Sequence, residues 1–345
     1  MLACPAGVAM TRQGVDLVTG GAGFVGSHVV AALVTRGRRI IVLDDLSTGS
    51  AANLNHIPPA DVELVVGDVA EPALLARLLA RAERVLHLAC VNLRRSLRAP
   101  FEADHVNAGG TLALLEAART AGIKRFVHVS SSEVYGSALS APMGEHHPLQ
   151  PTTPYGGSKL AGEAYARAFH CTYGLPVTVV RPFNAYGPRA HHEGDSGEVI
   201  PRFIVRALAG EPLVVFGDGL QTRDFTHVTD TVEGIVAAAD APAAVGGTYN
   251  IGSGVELSIL ELARRVLRAT GARPDALCFD RARPGDVRRL VADIALARRE
   301  LGFTPRTPLD EGLGERVAEY RARGAAKARE AATEIADAWR PEQLA

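Results

Sequence analysis

The chain has 345 residues, 47% of them hydrophobic and 22% charged, with a formal net charge of -1. That length fits one large α/β domain, or a domain with a smaller companion. The even charge balance excludes a basic surface for nucleic acid or an anionic membrane, and no apolar run is long enough to span a bilayer.

The four cysteines (Cys4, Cys90, Cys171, Cys278) are far apart and lack metal-ligand spacing, the pattern of a reduced, cytoplasmic protein. Residues 1–14 read as a loose leader rather than a signal peptide, because no charged start precedes a full apolar run. Met10 is an alternative start to Met1.

Residues 15–19 predict a strand. It feeds Gly20-Gly21-Ala22-Gly23-Phe24-Val25-Gly26, and a helix is expected over 27–36. Gly20, Gly23 and Gly26 allow a tight turn and a close backbone approach to a pyrophosphate at the helix N-terminus. The strand–loop–helix context is what gives the glycine pattern its meaning. A second strand, 39–43, ends at Asp44-Asp45, where a carboxylate can accept from a ribose diol and would repel an extra phosphate, so NAD is expected rather than NADP.

Further strands are expected at 62–66, before Asp68 and Val69, and at 84–88, through Leu88 and ending at Ala89-Cys90. Two more are expected at 125–130 and 177–181. Helices are expected at 72–81 and 107–121. Strands alternating with helices predict a doubly wound parallel (Rossmann) sheet with its ligand at the carboxyl ends of the strands. Those ends are Gly20, Asp44, Asp68, Ala89 and Ser130.

The segment 152–159 reads Thr-Thr-Pro-Tyr-Gly-Gly-Ser-Lys. Thr153 can cap a helix and Pro154 suits its first position. Tyr155 and Lys159, four apart, then share one face. The helix dipole and the lysine are both expected to lower the phenol's pKa and make it a usable base. Alone, this spacing also fits an ordinary amphipathic helix. The histidines at 146–147 and 191–192, with Glu193 and Asp195, show no zinc-type spacing, so no metal site is expected.

The glycine loop, Asp44, the run Ser130-Ser131-Ser132-Glu133-Val134-Tyr135-Gly136 and Tyr155/Lys159 resemble the extended short-chain dehydrogenase/reductase family, over about 15–312. More narrowly they resemble its nucleotide-sugar 4-epimerases, 4,6-dehydratases and decarboxylases. The resemblance implies a Rossmann domain over 15–183, with 225–252 returning to it. It implies a smaller C-terminal α/β substrate domain from 184–224 and 253–312, and a C-terminal helix and tail over 313–345. Expected NAD contacts are Gly20, Gly23, Phe24, Val25, Gly26, Asp44, Asp45, Asp68, Val69, Leu88, Ala89, Asn107, Ser130, Tyr155, Lys159 and Pro182. Expected nucleotide-sugar contacts are Ser131, Tyr155, Asn184, Glu198, Val199, Val214, Phe216, Arg223, Asp286 and Arg288, with Arg223 and Arg288 clamping the diphosphate.

The resemblance further implies that Tyr155, Lys159 and Ser131 oxidise the sugar at C4, and that the residues at 132 and 133 decide the fate of the 4-keto sugar. Dehydratases carry Asp-Glu there; this chain has Ser132-Glu133. A serine is a poor acid for expelling the C6 hydroxyl, so 4-epimerisation of a UDP- or TDP-hexose or hexuronate is expected first. Decarboxylation or dehydration through Glu133 is the alternative, and a non-catalytic NAD-binding protein is a distant third. The helices from Asn107 and Tyr155 match the family's dimer interface, implying a homodimer.

Overall fold

A computed structural model describes residues 13–283 and 285–333. The expected leader up to residue 12, the choice between Met1 and Met10, Pro284 and the tail beyond 333 lie outside those residues. The strands, in chain order, are β1 Gln13–Thr19, β2 Arg38–Asp44, β3 Val62–Val66, β4 Arg84–His87, β5 Arg125–Val129, β6 Val177–Pro182, β7 Asn184–Tyr186, β8 Leu213–Phe216, β9 Thr222–His227, β10 Thr248–Ile251, β11 Glu256–Ser258 and β12 Leu277–Asp280.

Seven of them form one parallel sheet in the order β10-β6-β5-β4-β1-β2-β3. The strand order reverses between β1 and β4, which opens a crevice at their carboxyl ends. Successive residues of these strands pack on opposite faces. Val18, Val42, Leu86, Val127 and Val180 meet helices Phe24–Thr35 and Val228–Asp240 on one side. Leu17, Ile41, Val85, Phe126 and Val179 meet helices Pro72–Leu79, Thr111–Ala121 and Pro154–Tyr173 on the other. Both faces are dry, which is why the strands read as near-continuous apolar runs.

A third core, built on Ile200, Phe203, Leu213, Val215, Leu262, Val266 and Leu313, supports the small sheets β11-β9-β7 and β12-β8. Residues 225–252 supply helix Val228–Asp240 and edge strand β10 to the main sheet.

The helix expected over 107–121 starts differently. Short helices Leu93–Arg98 and Pro100–Ala103 lead into a widened π turn, Asp104–Gly110, before the regular helix Thr111–Ala121. Asn107 explains the turn. Its side chain bonds Val91 N at 2.7 Å, Val91 O at 3.1 Å and Ser158 Oγ at 2.9 Å, while Thr111 Oγ1 donates to Asn107 O at 2.6 Å. Widened turns of this kind admit such cross-bonds at functional sites.

Candidate active site

The helix Pro154–Tyr173 begins as its sequence predicts: Thr153 Oγ1 accepts from Gly156 N at 3.1 Å, with Pro154 in the first turn. This fixes Tyr155 and Lys159 against the end of β5. Lys159 is 1% exposed and its Nζ donates to Val129 O at 2.7 Å. The Ser131 hydroxyl stands beside the Tyr155 phenol in the cavity wall, where it favours the ionised phenol. Ser131 also accepts from Glu133 N at 3.2 Å, which holds the short turn Ser132–Tyr135.

The expected lowering of the phenol's pKa is not what this environment produces. Burial pushes Tyr155 well above the ordinary tyrosine value, and the neighbouring Ser131 hydroxyl only partly offsets it. Burial likewise lowers Lys159, whose ammonium is directed at a backbone carbonyl. Desolvation outweighs the dipole because both groups sit out of water.

Two cavities meet at Tyr155 and Ser131. One, of about 320 Å³, runs along the carboxyl ends of β1, β2 and β4. It is lined by Gly20, Gly23, Phe24, Val25, Gly26, Asp44, Asp45, Asp68, Val69, Leu88, Ala89, Ser130, Lys159 and Pro182. The glycine loop leaves no room for side chains: a Cβ at Gly26 would lie 2.0 Å from Gly20 O, and Gly20 has φ +68 with Ala89 N 2.7 Å from its ideal Cβ. Helix Phe24–Thr35 opens there with no side-chain cap and no acid in its first turn, leaving its N–H groups to an anion. Asp44 Oδ2 accepts from Ala22 N and its Oδ1 from Leu46 N, both at 2.9 Å, so the carboxylate is aimed at the glycine loop. Burial raises its pKa. These features fit a dinucleotide. Asn107 does not wall this cavity; it lies beneath, bonded as described to Val91 and Ser158.

The second cavity, about 330 Å³, is lined by Ser131, Ser132, Glu133, Tyr155, Asn184, Glu198, Val199, Val214, Phe216, Arg223 and Asp286. Asn184 Oδ1 is buried there without a hydrogen-bond partner, an acceptor available to a ligand. Arg223 is held by Thr222 O and Val287 O, both at 2.8 Å, and by Asp286 Oδ1 at 2.5 Å. Burial raises the carboxyl pKa values of Glu133 and Glu198, the latter to about 7. In the adjoining loop His191 Nδ1 lies 2.7 Å from Glu193 Oε1.

Arg288 is the exception to the expected set. It is exposed, bonded to Asp218 at 2.9 Å, and does not reach the cavity. Val287, 2% exposed, turns into the cavity wall, while Arg288 is held outward by its bond to Asp218. Arg283 takes the inner place, its guanidinium 4.2 Å from the Phe216 ring centroid. Thr152 Oγ1 donates to Gly285 O at 2.8 Å, which ties this segment to the start of the Tyr155 helix. Asn92, Arg94 and Gln221, also in the wall, were not singled out from sequence either. Asn92 caps the short helix Leu93–Arg98, Arg94 lies in its first turn and Gln221 in a loop, stretches too short for periodicity to mark an inward side chain.

The family model described as GDP-mannose 4,6 dehydratase matches residues 17–316. A UDP-glucose 4-epimerase from Mycolicibacterium smegmatis is 41% identical over 88% of this chain and 98% of its own length. A dTDP-glucose 4,6-dehydratase from Actinoplanes sp. is 40% identical over 89% and 97%. The crystal structure of a dTDP-glucose 4,6-dehydratase from Streptomyces venezuelae, with NAD bound, superposes with TM-score 0.85 and 37% identity, covering 89% of this chain and 97% of that one. The chain therefore belongs to the extended short-chain dehydrogenase/reductase family of nucleotide-sugar epimerases and dehydratases, enzymes whose cofactor is NAD.

Proposed function

We propose that this family member is a nucleotide-sugar 4-epimerase acting on a UDP- or TDP-hexose or hexuronate through a transient 4-keto sugar. The observation that carries this reading is the junction of the two cavities. Tyr155 and Ser131 stand there together over Lys159, and Ser132 rather than an acid stands beside them.

NAD, when bound, supplies a hydride acceptor and a positive charge beside the phenol. Tyr155 takes the proton of the C4 hydroxyl while Ser131 holds the C4 oxygen. Lys159, anchored through one of its protons to Val129 O, has two left for the nicotinamide ribose. Arg223 and Arg283 neutralise the diphosphate, and Asn184 Oδ1 accepts from the substrate. Residues 184–224 and 253–312 thus act as the substrate half, and 15–183 with 225–252 as the cofactor half. The 4-keto sugar then turns over and is reduced on its other face. Tyr155 returns the proton, so the reaction is redox-neutral overall.

The second reading is decarboxylation or dehydration. Glu133 favours it: the carboxyl lines the sugar cavity within electrostatic reach of Tyr155 and is pushed toward its protonated form by burial. Incubation with UDP-glucose, UDP-glucuronate and TDP-glucose, with NMR of the products, separates the two. A C4-inverted sugar supports epimerisation; loss of carbon dioxide or water with no inversion overturns it. We also propose that the protein is cytoplasmic and a homodimer, the latter because Leu112, Tyr165 and Tyr173 leave apolar surface exposed along the helices the family pairs. A monomer in sedimentation refutes that.

A further inference from the structure

We propose that Glu163 is a positioning residue of the Tyr155–Lys159 pair: its buried carboxylate fixes the end of β5 that carries Ser131 and holds the Lys159 ammonium opposite it. This rests on the role given to that pair above.

Tyr155, Lys159 and Glu163 recur every four residues and lie along one face of helix Pro154–Tyr173. Glu163 is fully buried. Its Oε2 accepts from Ser130 Oγ at 2.9 Å, while one turn earlier Lys159 Nζ donates to Val129 O at 2.7 Å. Consecutive residues of the strand end are thus each tied to the helix, and Ser131 is the next residue along. Arg181, 1% exposed, donates to Glu163 through Nε at 3.0 Å and through Nη2. Its Nη1 donates to Tyr135 Oη at 2.7 Å and to Glu145 O at 3.0 Å. Tyr135 closes the turn that begins after Ser131 and donates in turn to Asn250 Oδ1 at 2.7 Å. One carboxylate–guanidinium pair therefore grips the Ser131 segment at both ends.

The charges around the pair point the same way. Glu163 offsets three cations: Lys159, Arg181 and Arg167, whose Nη1 reaches Oε1 from the solvent side. The other titratable groups facing Lys159 are His87 from β4, His128 from β5, Cys90 after β4 and Tyr155. Both histidines are buried and held neutral by desolvation and by Lys159 itself, so they add no positive charge. A residue serving only to fill the core would be replaceable by glutamine, which keeps its shape. A residue that balances Lys159 would not.

The chain has three lysines, Lys124, Lys159 and Lys327. The full-length protein labelled with [ε-13C]lysine therefore gives three signals, and Lys159→Arg assigns the relevant one. Glu163→Gln should lower the Lys159 titration midpoint by about one pH unit, because the two arginines lose their counter-charge. It should also reduce kcat by roughly 100-fold with KM within a few-fold, the signature of misplacement rather than lost binding. Arg167→Gln, at a side chain 38% exposed, should move the Lys159 midpoint upward. A folded Glu163→Gln protein with an unchanged midpoint overturns the proposal. If that variant does not fold, an Arg167→Gln midpoint that stays put or falls overturns it instead. The titration needs no sugar, so its failure is distinct from a failure of the epimerase reading.

Discussion

Exchange of the two arginines in the 283–288 segment tests the substrate cavity most sharply. Arg283 lines the cavity and lies over Phe216, and burial depresses its pKa to about 10, the mark of a desolvated cation. A hydrogen bond from such a group to a charged partner contributes about 1.5–3 kcal/mol, or roughly 10- to 150-fold in affinity. Arg283→Met keeps the apolar stem over the ring and removes the charge. It should weaken UDP and TDP binding by that factor in calorimetry, with the melting temperature within a few degrees of wild type. Arg288→Met removes only an exposed contact to Asp218 and should leave affinity within about twofold. Nucleotide without sugar is the titrant, so the result is independent of the reaction catalysed. Equal losses in the two variants, or a greater loss at Arg288, would refute the geometry and restore the arginine that sequence reasoning favoured.

Tyr155→Phe removes the proton-carrying group and should lower kcat by roughly 10²- to 10⁴-fold while NAD still binds; near-normal turnover would remove Tyr155 from the chemistry. Gly26→Ala puts a methyl 2.0 Å from Gly20 O, so NAD affinity should collapse, and unchanged binding by fluorescence titration would mean the loop is not the pyrophosphate cradle. Glu198 lines the cavity with its carboxyl pushed up to about 7 by burial. The group is neutral below that pH and anionic above it, so UDP affinity should fall as pH rises from 6 to 8, and Glu198→Gln should flatten the profile. A wild-type profile with no slope across that range would place the nucleotide elsewhere.

The parts of this molecule that were legible in the sequence are those where local rules and tertiary packing agree. β3 spans Val62–Val66 as its apolar run predicts, and Thr153-Pro154 starts its helix with the expected cap. The glycine loop was legible because only glycine tolerates those backbone contacts. What escaped depended on the third dimension. The inward place of Arg283 depends on its packing over the Phe216 ring of β8, which the short motif holding both arginines does not reveal. The π turn at Asn107 is set by partners 16 and 51 residues away. Glu163 reads in sequence as one more charge on an amphipathic helix; only the approach of β5 and β6 reveals it as a buried counter-ion.

The direction of the Tyr155 shift alters how the pair works. A tyrosine and a lysine four apart suggest a phenol already primed by its neighbour. In the folded chain burial prevails and the phenol stays protonated, with the ammonium directed at Val129 O. The protein by itself therefore holds a weak acid, not a base. The additional positive charge that would favour the phenolate belongs to oxidised NAD, and it disappears when the cofactor is reduced. In the proposed mechanism the phenol would thus be a better base when a proton must be taken and a better acid when it must be returned. That reversal suits a reaction that ends where it began in redox terms. It also makes burial of the phenol part of the function: a solvent-exposed tyrosine, screened by water, would feel the change in cofactor charge far less.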